Sequence, residues 1–311
     1  MSGDTLAARQ ALLARRHDRV RTMLLGEPRG RDDMVAAMLT EPVTPGAHAG
    51  VLFLRAAGWV PFSGHGVIAA ATIAVERALL TIAGPPPSRL MLDTLAGPVV
   101  ADLETSSSGT VEPVRVTRVS YTGPGASLIA GGVGLTVAGR AVRCDLVECA
   151  GRLAFVDSEA VGAVLAADAV PDLRRVARAV IAALDPVVAR MAGTRGDRGI
   201  DEVVFIAPSA SDQADLRSVT VHRQGGVERS PSGRATVAVM AVLDAMGWLA
   251  SERPFVHEGL LGLCVEGRLV GRDEVAGARR LTATVCGTAW VIGEHTAVRR
   301  PDDPLRDGMG G

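Results

Sequence analysis

The sequence predicts an α/β chain of two similar halves, each built around a central apolar helix, and three observations carry that reading. Short apolar or alternating segments bounded by Gly and Pro read as strands. Segments with helical spacing lie between them. A turn containing Ser-Gly runs directly into an uncharged, alanine-rich helix once in each half. The composition agrees, since 311 residues at 48% hydrophobic and 22% charged suffice for one large or two mid-sized domains.

Residues 6 to 25 place Leu6, Leu13, Val20 and Leu24 at helical spacing among arginines, which predicts an amphipathic helix docked on the domain that follows. Strands are predicted for Gly50 to Trp59, Val111 to Val119, Val142 to Cys149, Asp201 to Pro208 and Ser218 to Arg223. Pro171 to Ala192 carries Leu173, Val176, Ala179, Val180 and Leu184 on one helical face and arginines on the other, and is expected to link the two halves. Polar stretches at 105 to 110 and 208 to 213 read as loops. The expected division is therefore residues 1–170 for the first domain, 171–290 for the linker helix and second domain, and 291–311 for a C-terminal segment packing back on the first.

A net charge of −1, from 33 basic and 34 acidic residues, gives no electrostatic reason to expect nucleic acid or an anionic membrane as partner. All the basic residues are arginine, and the absence of lysine excludes Schiff-base and P-loop chemistry. Cys144, Cys149, Cys264 and Cys286 are scattered, form no CxxC pair and read as reduced thiols, so no metal site is expected. The N-terminus does not resemble a signal peptide and no apolar run is long enough to span a membrane, which points to the cytoplasm.

The repeat is the most informative feature. Pro61-Phe62-Ser63-Gly64-His65-Gly66 runs into Val67 to Leu80, and Ser230-Pro231-Ser232-Gly233-Arg234-Ala235 runs into Thr236 to Met246. A helix that is apolar all round belongs in a core. Its N-terminus offers backbone N–H groups and the positive end of the helix dipole, a setting for a carboxylate, while each serine taken alone is an ordinary N-cap.

With these turns in view, the chain resembles the proline racemases, hydroxyproline epimerases and trans-3-hydroxyproline dehydratases, enzymes of the diaminopimelate-epimerase-like fold. Five pieces in order carry the resemblance: Glu27-Pro28-Arg29-Gly30 with Asp33-Met34, Phe62 to Gly66, Arg229 to Gly233, His257-Glu258-Gly259 with Gly262 and Gly267, and Gly287-Thr288-Ala289-Trp290 with Arg300 to Leu305. The resemblance implies two similar domains, each a curved sheet or half-barrel around its central helix, an active site in the cleft between them, no cofactor and a homodimer. It also implies that Gly64, His65, Gly233 and Arg234 hold the substrate carboxylate through backbone N–H groups, with Phe62, His222 and Thr236 lining the pocket.

The departures shape the chemistry expected. Ser63 and Ser232 stand where the family's racemases carry the two catalytic thiols. A hydroxyl needs an adjacent base to take a proton, whereas a thiol can be tuned toward neutrality by a helix N-terminus. Glu228 stands where the family has an aspartate that holds the ring nitrogen, and His222 where it tends to have an aromatic. Gly233-Arg234-Ala235-Thr236 stands for Gly-Thr-Gly-Thr, and the family's first strand has no counterpart before Glu27, so that the chain starts late or the first sheet is remodelled. Glu228 is the first candidate base, then His65 and His222, with Ser63 and Ser232 as donors or relays. The Arg234 side chain is expected either to grip a second anionic group or to be solvated. The leading expectation is a cofactor-independent isomerase that abstracts an α-proton or shifts a proton and double bond on a proline-like cyclic amino acid, where conjugation lets a weaker base suffice. A hydroxyproline dehydratase or epimerase is the second reading, and a protein that only binds such a ligand the third.

Overall fold

The computed structural model describes residues 4–80, 88–106, 115–192, 199–275 and 277–308. The chain divides into two compact units, residues 1–122 with 286–311, and residues 123–285. The division falls between Thr122 and Gly123 rather than at residue 170, because three strands before 170 pair with those of the second half.

The first unit opens with α1 (Leu6–Leu25), whose N-cap Thr5 accepts a hydrogen bond from Ala8 N. Its apolar stripe is only half used, since Leu6 is buried but Val20 and Leu24 are exposed. Arginines tie it down instead: Arg9 donates to Thr40 Oγ1 at 3.4 Å and to the Glu41 carbonyl, and Arg21 donates to the Arg55 carbonyl at 3.3 Å. There follow β1 (Val35–Thr40), β2 (Ala49–Arg55), β3 (Gly58–Val60), α2 (Gly64–Glu76), β4 (Ser88–Thr94), β5 (Gly97–Ser106) and β6 (Arg115–Thr122). The segment predicted as one strand from Gly50 to Trp59 is thus a hairpin, β2 turning into β3. Of the predicted strand at 111–119 and loop at 105–110, residues 107–114 lie outside the described residues, and Thr105 and Ser106 belong to β5.

Strand order in this unit is β1-β2-β4-β5-β6, with β3 on β2. The β2–β4 pair is parallel and the others are antiparallel. Helix α2 touches β1 near one end of that order and β5 and β6 at the other, so the sheet curves around it. Its buried face of Val67, Ile68, Ala70, Ala71 and Ala74 matches the uncharged sequence that predicted a core helix.

The second unit comprises β7 (Ser127–Val137), β8 (Arg140–Glu148), β9 (Arg152–Asp157), α3 (Ser158–Val161), α4 (Val170–Ala192), β10 (Glu202–Ala207), β11 (Leu216–His222), α5 (Gly233–Ala245), β12 (Phe255–Glu258), β13 (Cys264–Val275) and β14 (Ala278–Gly287), whose last two residues belong to the first unit. The order runs β7 to β14 without interruption, with β9–β10 and β11–β12 parallel. Helix α5 contacts β7, β8 and β9 at one end and β13 near the other, again the helix inside a curved sheet. Helix α4 is no linker. It packs on β7, β10 and β11 within the unit, burying Leu173, Val176, Val180 and Leu184 against Val203, Phe205, Val219 and Val221.

Candidate active site

In the first unit Ser63 is the N-cap of α2, with extended backbone (φ −145°, ψ 117°), and its Oγ accepts from Gly66 N at 3.2 Å. Gly66 is required there, because a Cβ would lie 2.5 Å from Cε1 of Phe53. Phe62 points into the core, its ring 6.2 Å from that of Phe53 and 5.9 Å from that of Tyr121. His65, one residue into the helix, is half-buried.

The second unit repeats the device. Ser232 caps α5 and its Oγ accepts from Ala235 N at 3.3 Å. Both serines are thus true N-caps, and Gly64 and Gly233 are first residues of their helices, where N–H groups have no acceptor one turn back. Thr236, fully buried, donates its hydroxyl to the Ser232 carbonyl at 2.8 Å, and the same oxygen lies 2.8 Å from His257 Nδ1. With the threonine proton given to the carbonyl, His257 carries its proton on Nδ1, and its Nε2 is a buried acceptor without a partner among the described residues. Burial brings the His257 pKa down to about 4, so the ring is neutral. Phe62 and Thr236 therefore support the two turns from behind, within the cores of their own units.

A buried polar network lies beside the Ser232 turn. Glu202 and His222 are direct cross-strand partners in the antiparallel β10–β11 pair, so their side chains share a face. After His222 the chain reverses through Gly225, whose φ of +95° suits glycine, and Val227 pairs back with Val221. Glu228 is thereby brought beside Thr220, its N–H donating to the Thr220 carbonyl at 2.9 Å. His222 Nδ1 lies 2.9 Å from Glu202 Oε1 and its Nε2 lies 3.0 Å from Glu228 Oε1. The side chains of His222 and Glu228 are each 8% exposed and that of Glu202 is 1% exposed.

Arg234 completes the network, pairing with Glu202 and donating from Nη1 to the Ala150 carbonyl at 2.8 Å. Its guanidinium is therefore neither solvated nor held out for a second anion. A buried carboxylate stands beside it, and breaking that pair would strand a charge.

Glu202 was invisible to motif reading. Its only signal was an acid at the start of an apolar strand, opposite a histidine one strand away. Glu202, His222 and Glu228 also form a group whose ligand atoms lie within 4.8 Å of one another, and among the described residues this is a group that could hold a metal ion. His222 Nε2 is hydrogen-bonded to Glu228 Oε1, an arrangement suited to sharing a proton, while Nδ1 lies close to Glu202.

The thiols are elsewhere. Burial pushes Cys144 and Cys149 up to about 12, with Arg234 partly opposing the shift at Cys149. Cys264 is exposed and is raised by partial burial and by Glu258. Cys286 Sγ accepts from Arg118 Nε at 2.6 Å and Ser120 Oγ at 2.8 Å. None of the four lies in either capped turn. Among the described residues, no helix is long and apolar enough to cross a membrane.

Comparison with known proteins places this geometry in a family. The family model described as proline racemase matches residues 1–310. A 4-hydroxyproline 2-epimerase from Streptosporangium roseum is 32% identical over 99% of this chain and 90% of its own. Two solved structures share the fold. A probable proline racemase from Agrobacterium radiobacter with bound carbonate has a TM-score of 0.83 at 23% identity, covering 99% of this chain and 89% of that one. A hydroxyproline epimerase from Agrobacterium vitis with bound trans-4-OH-L-proline has a TM-score of 0.79 at 24% identity, covering 99% and 87%. The chain belongs to the proline racemase family, whose racemases and epimerases are isomerases.

Proposed function

We propose that this protein is a cofactor-independent isomerase of a proline-like cyclic amino acid, with Glu228 as the group that takes and returns the proton. The observation that carries this is the Glu228 carboxylate, buried four residues before the Ser232 cap and hydrogen-bonded to His222 at 3.0 Å. It supplies an acid–base group beside a turn that holds serine where a thiol would otherwise act. A carboxylate is a modest base, so it suits a substrate whose carbanion is delocalised, such as an unsaturated or imine-containing proline. Gly233 N–H and the dipole of α5 suit the substrate carboxylate, stabilising negative charge as the carbon loses its proton. Gly64 and His65 at α2 are proposed to serve the same end from their own helix terminus.

The experiment is incubation with trans-4-hydroxy-L-proline, proline and a panel of pyrroline carboxylates in deuterated water, followed by NMR. Enzyme-dependent deuterium incorporation at ring carbons is expected, and Glu228→Gln should lower it by about 100-fold or more, the contribution usual for a positioned acid–base group. Exchange no faster than buffer across the panel would refute the reading.

A further inference from the structure

Strand β1 ends the strand order of the first unit, paired with β2 on one side and, among the described residues, with no strand on the other. In an antiparallel pair alternate residues turn their N–H and C=O groups away from the partner, so β1 presents a row of main-chain donors and acceptors along its outer side. Among the described residues no backbone group of another segment bonds to that row. Edge strands are ordinarily blunted by charge or proline. Val35–Thr40 reads Val-Ala-Ala-Met-Leu-Thr and carries neither. Val35 to Leu39 are half-buried, whereas β2 is buried throughout.

An apolar groove of about 380 Å³ lies beside this strand, within the first unit. Leu13, Val20 and Leu24 of α1 line it together with Met38 of β1, Leu54 of β2 and Trp59 of β3. Ala36 and Ala37 line it as well, next to Met38. Successive side chains of a strand point to opposite faces, so three consecutive residues share one groove only where it meets the main chain of β1. Apolar surface and unpaired main chain are thus offered to the same ligand.

The charge beside the groove is one-signed. Helix α1 carries five arginines and one aspartate, and Asp18 pairs with Arg21 at 2.6 Å. Arg15, Arg16 and Arg19 are exposed, and among the described residues no carboxylate pairs with them. Arg9 bonds to Thr40 and to the Glu41 carbonyl at the end of β1, and Arg16, two turns further on, lies on the same side of the helix. Arg16 also stands three residues after Leu13 and four before Val20, so it flanks the apolar stripe on the side of the free edge. The acids near β1 lie at its ends, Asp32 and Asp33 before it and Glu41 after it. We propose that the edge of β1 and the groove beside it form a strand-addition site for an extended segment of a partner protein, with apolar and acidic residues on its α1-facing side. Its main chain bonds to β1, its apolar side chains enter the groove and its carboxylates meet Arg16 and the neighbouring Arg15 and Arg19.

The test uses the full chain and two sets of capped peptides in which every second residue is threonine. The residues between are leucine and glutamate in the acidic set, and leucine and lysine in the basic set. Binding is read by calorimetry and by the fluorescence of Trp59, with Trp59→Phe as the control. The acidic set should bind saturably and the basic set about 10-fold more weakly or worse. Methylating the amide nitrogens along one edge of an acidic peptide should weaken binding by about 10-fold, and methylating the other edge should leave it unchanged, because only one edge can bond to β1. Arg15→Glu with Arg16→Glu and Arg19→Glu should reverse the preference between the sets, and Val20→Asp with Leu24→Asp should abolish binding of both. All five side chains are exposed, so these variants keep the fold. Failure of both sets to bind, equal binding of the two, or indifference to methylation along either edge overturns the proposal. So does a dimer of the native protein that Val20→Asp with Leu24→Asp disperses, which would make a second copy the occupant. Binding to vesicles of anionic lipid that the arginine substitutions remove overturns it too, since α1 would then face a membrane.

Discussion

Lowering the pH from about 7.5 to about 5 should cost this protein about 2 kcal/mol through His257 alone. The ring is fully buried, its Nδ1 is engaged with Thr236, and burial brings its pKa from 6.5 down to about 4. The unfolded chain therefore binds the proton first. Stability is intact above 6.5 and is lost as the pH falls through the window from 6.5 toward 4, where the loss approaches about 3 kcal/mol. Other groups titrate over the same range, so the comparison is with His257→Asn, whose amide keeps a polar atom near Thr236 and has no proton to gain. Urea denaturation of both proteins at a series of pH values isolates the term as the difference between their stability profiles. The native protein should lose about 2 kcal/mol more than the variant across that interval. Parallel profiles would show that His257 is not held neutral by burial and would undo the reading of its Nε2 as an unprotonated acceptor.

Three further outcomes follow from packing and exposure. Gly66→Ala should destabilise by about 1–3 kcal/mol, read as a lower Tm, because the new Cβ would sit 2.5 Å from a Phe53 ring that Phe62 already crowds. Ser63→Ala should cost about 1 kcal/mol in urea titrations and Ser63→Gly only a few tenths, as the loss of an N-cap acceptor requires. A thiol reagent under native conditions, followed by mass spectrometry, should label exposed Cys264 well before buried Cys144 and Cys149, whose thiols are held at about 12.

Both capped helices were legible because their signals are local. A serine followed by glycine and an uncharged, alanine-rich run specifies an N-cap and a core helix within a single turn of chain, and the structure starts α2 at Gly64 and α5 at Gly233. The strands at 142–149, 201–208 and 218–223 were legible for the same reason, alternation being a property of neighbours. The helix at 171–192 shows where this stops. Its apolar face was plain, yet the strands it covers come from both sides of it in sequence, and that placed it inside a unit instead of between two. The stripe on α1 likewise overstated its docking, since Arg9 and Arg21 hold the helix by bonding to carbonyls that no pattern reveals.

By itself the sequence determined the class of fold, the two Ser-Gly turns, the absence of thiols from them and the candidacy of Glu228 and His222. Each of these depends on residue identity and short spacing. Only the tertiary structure decided that Glu202 sits opposite His222, that Arg234 turns back to Glu202, and that the polar face of β10 and β11 is buried. Strand register and burial are set by contacts between distant segments, and a charge acquires chemical meaning only when those contacts remove it from water and give it a partner.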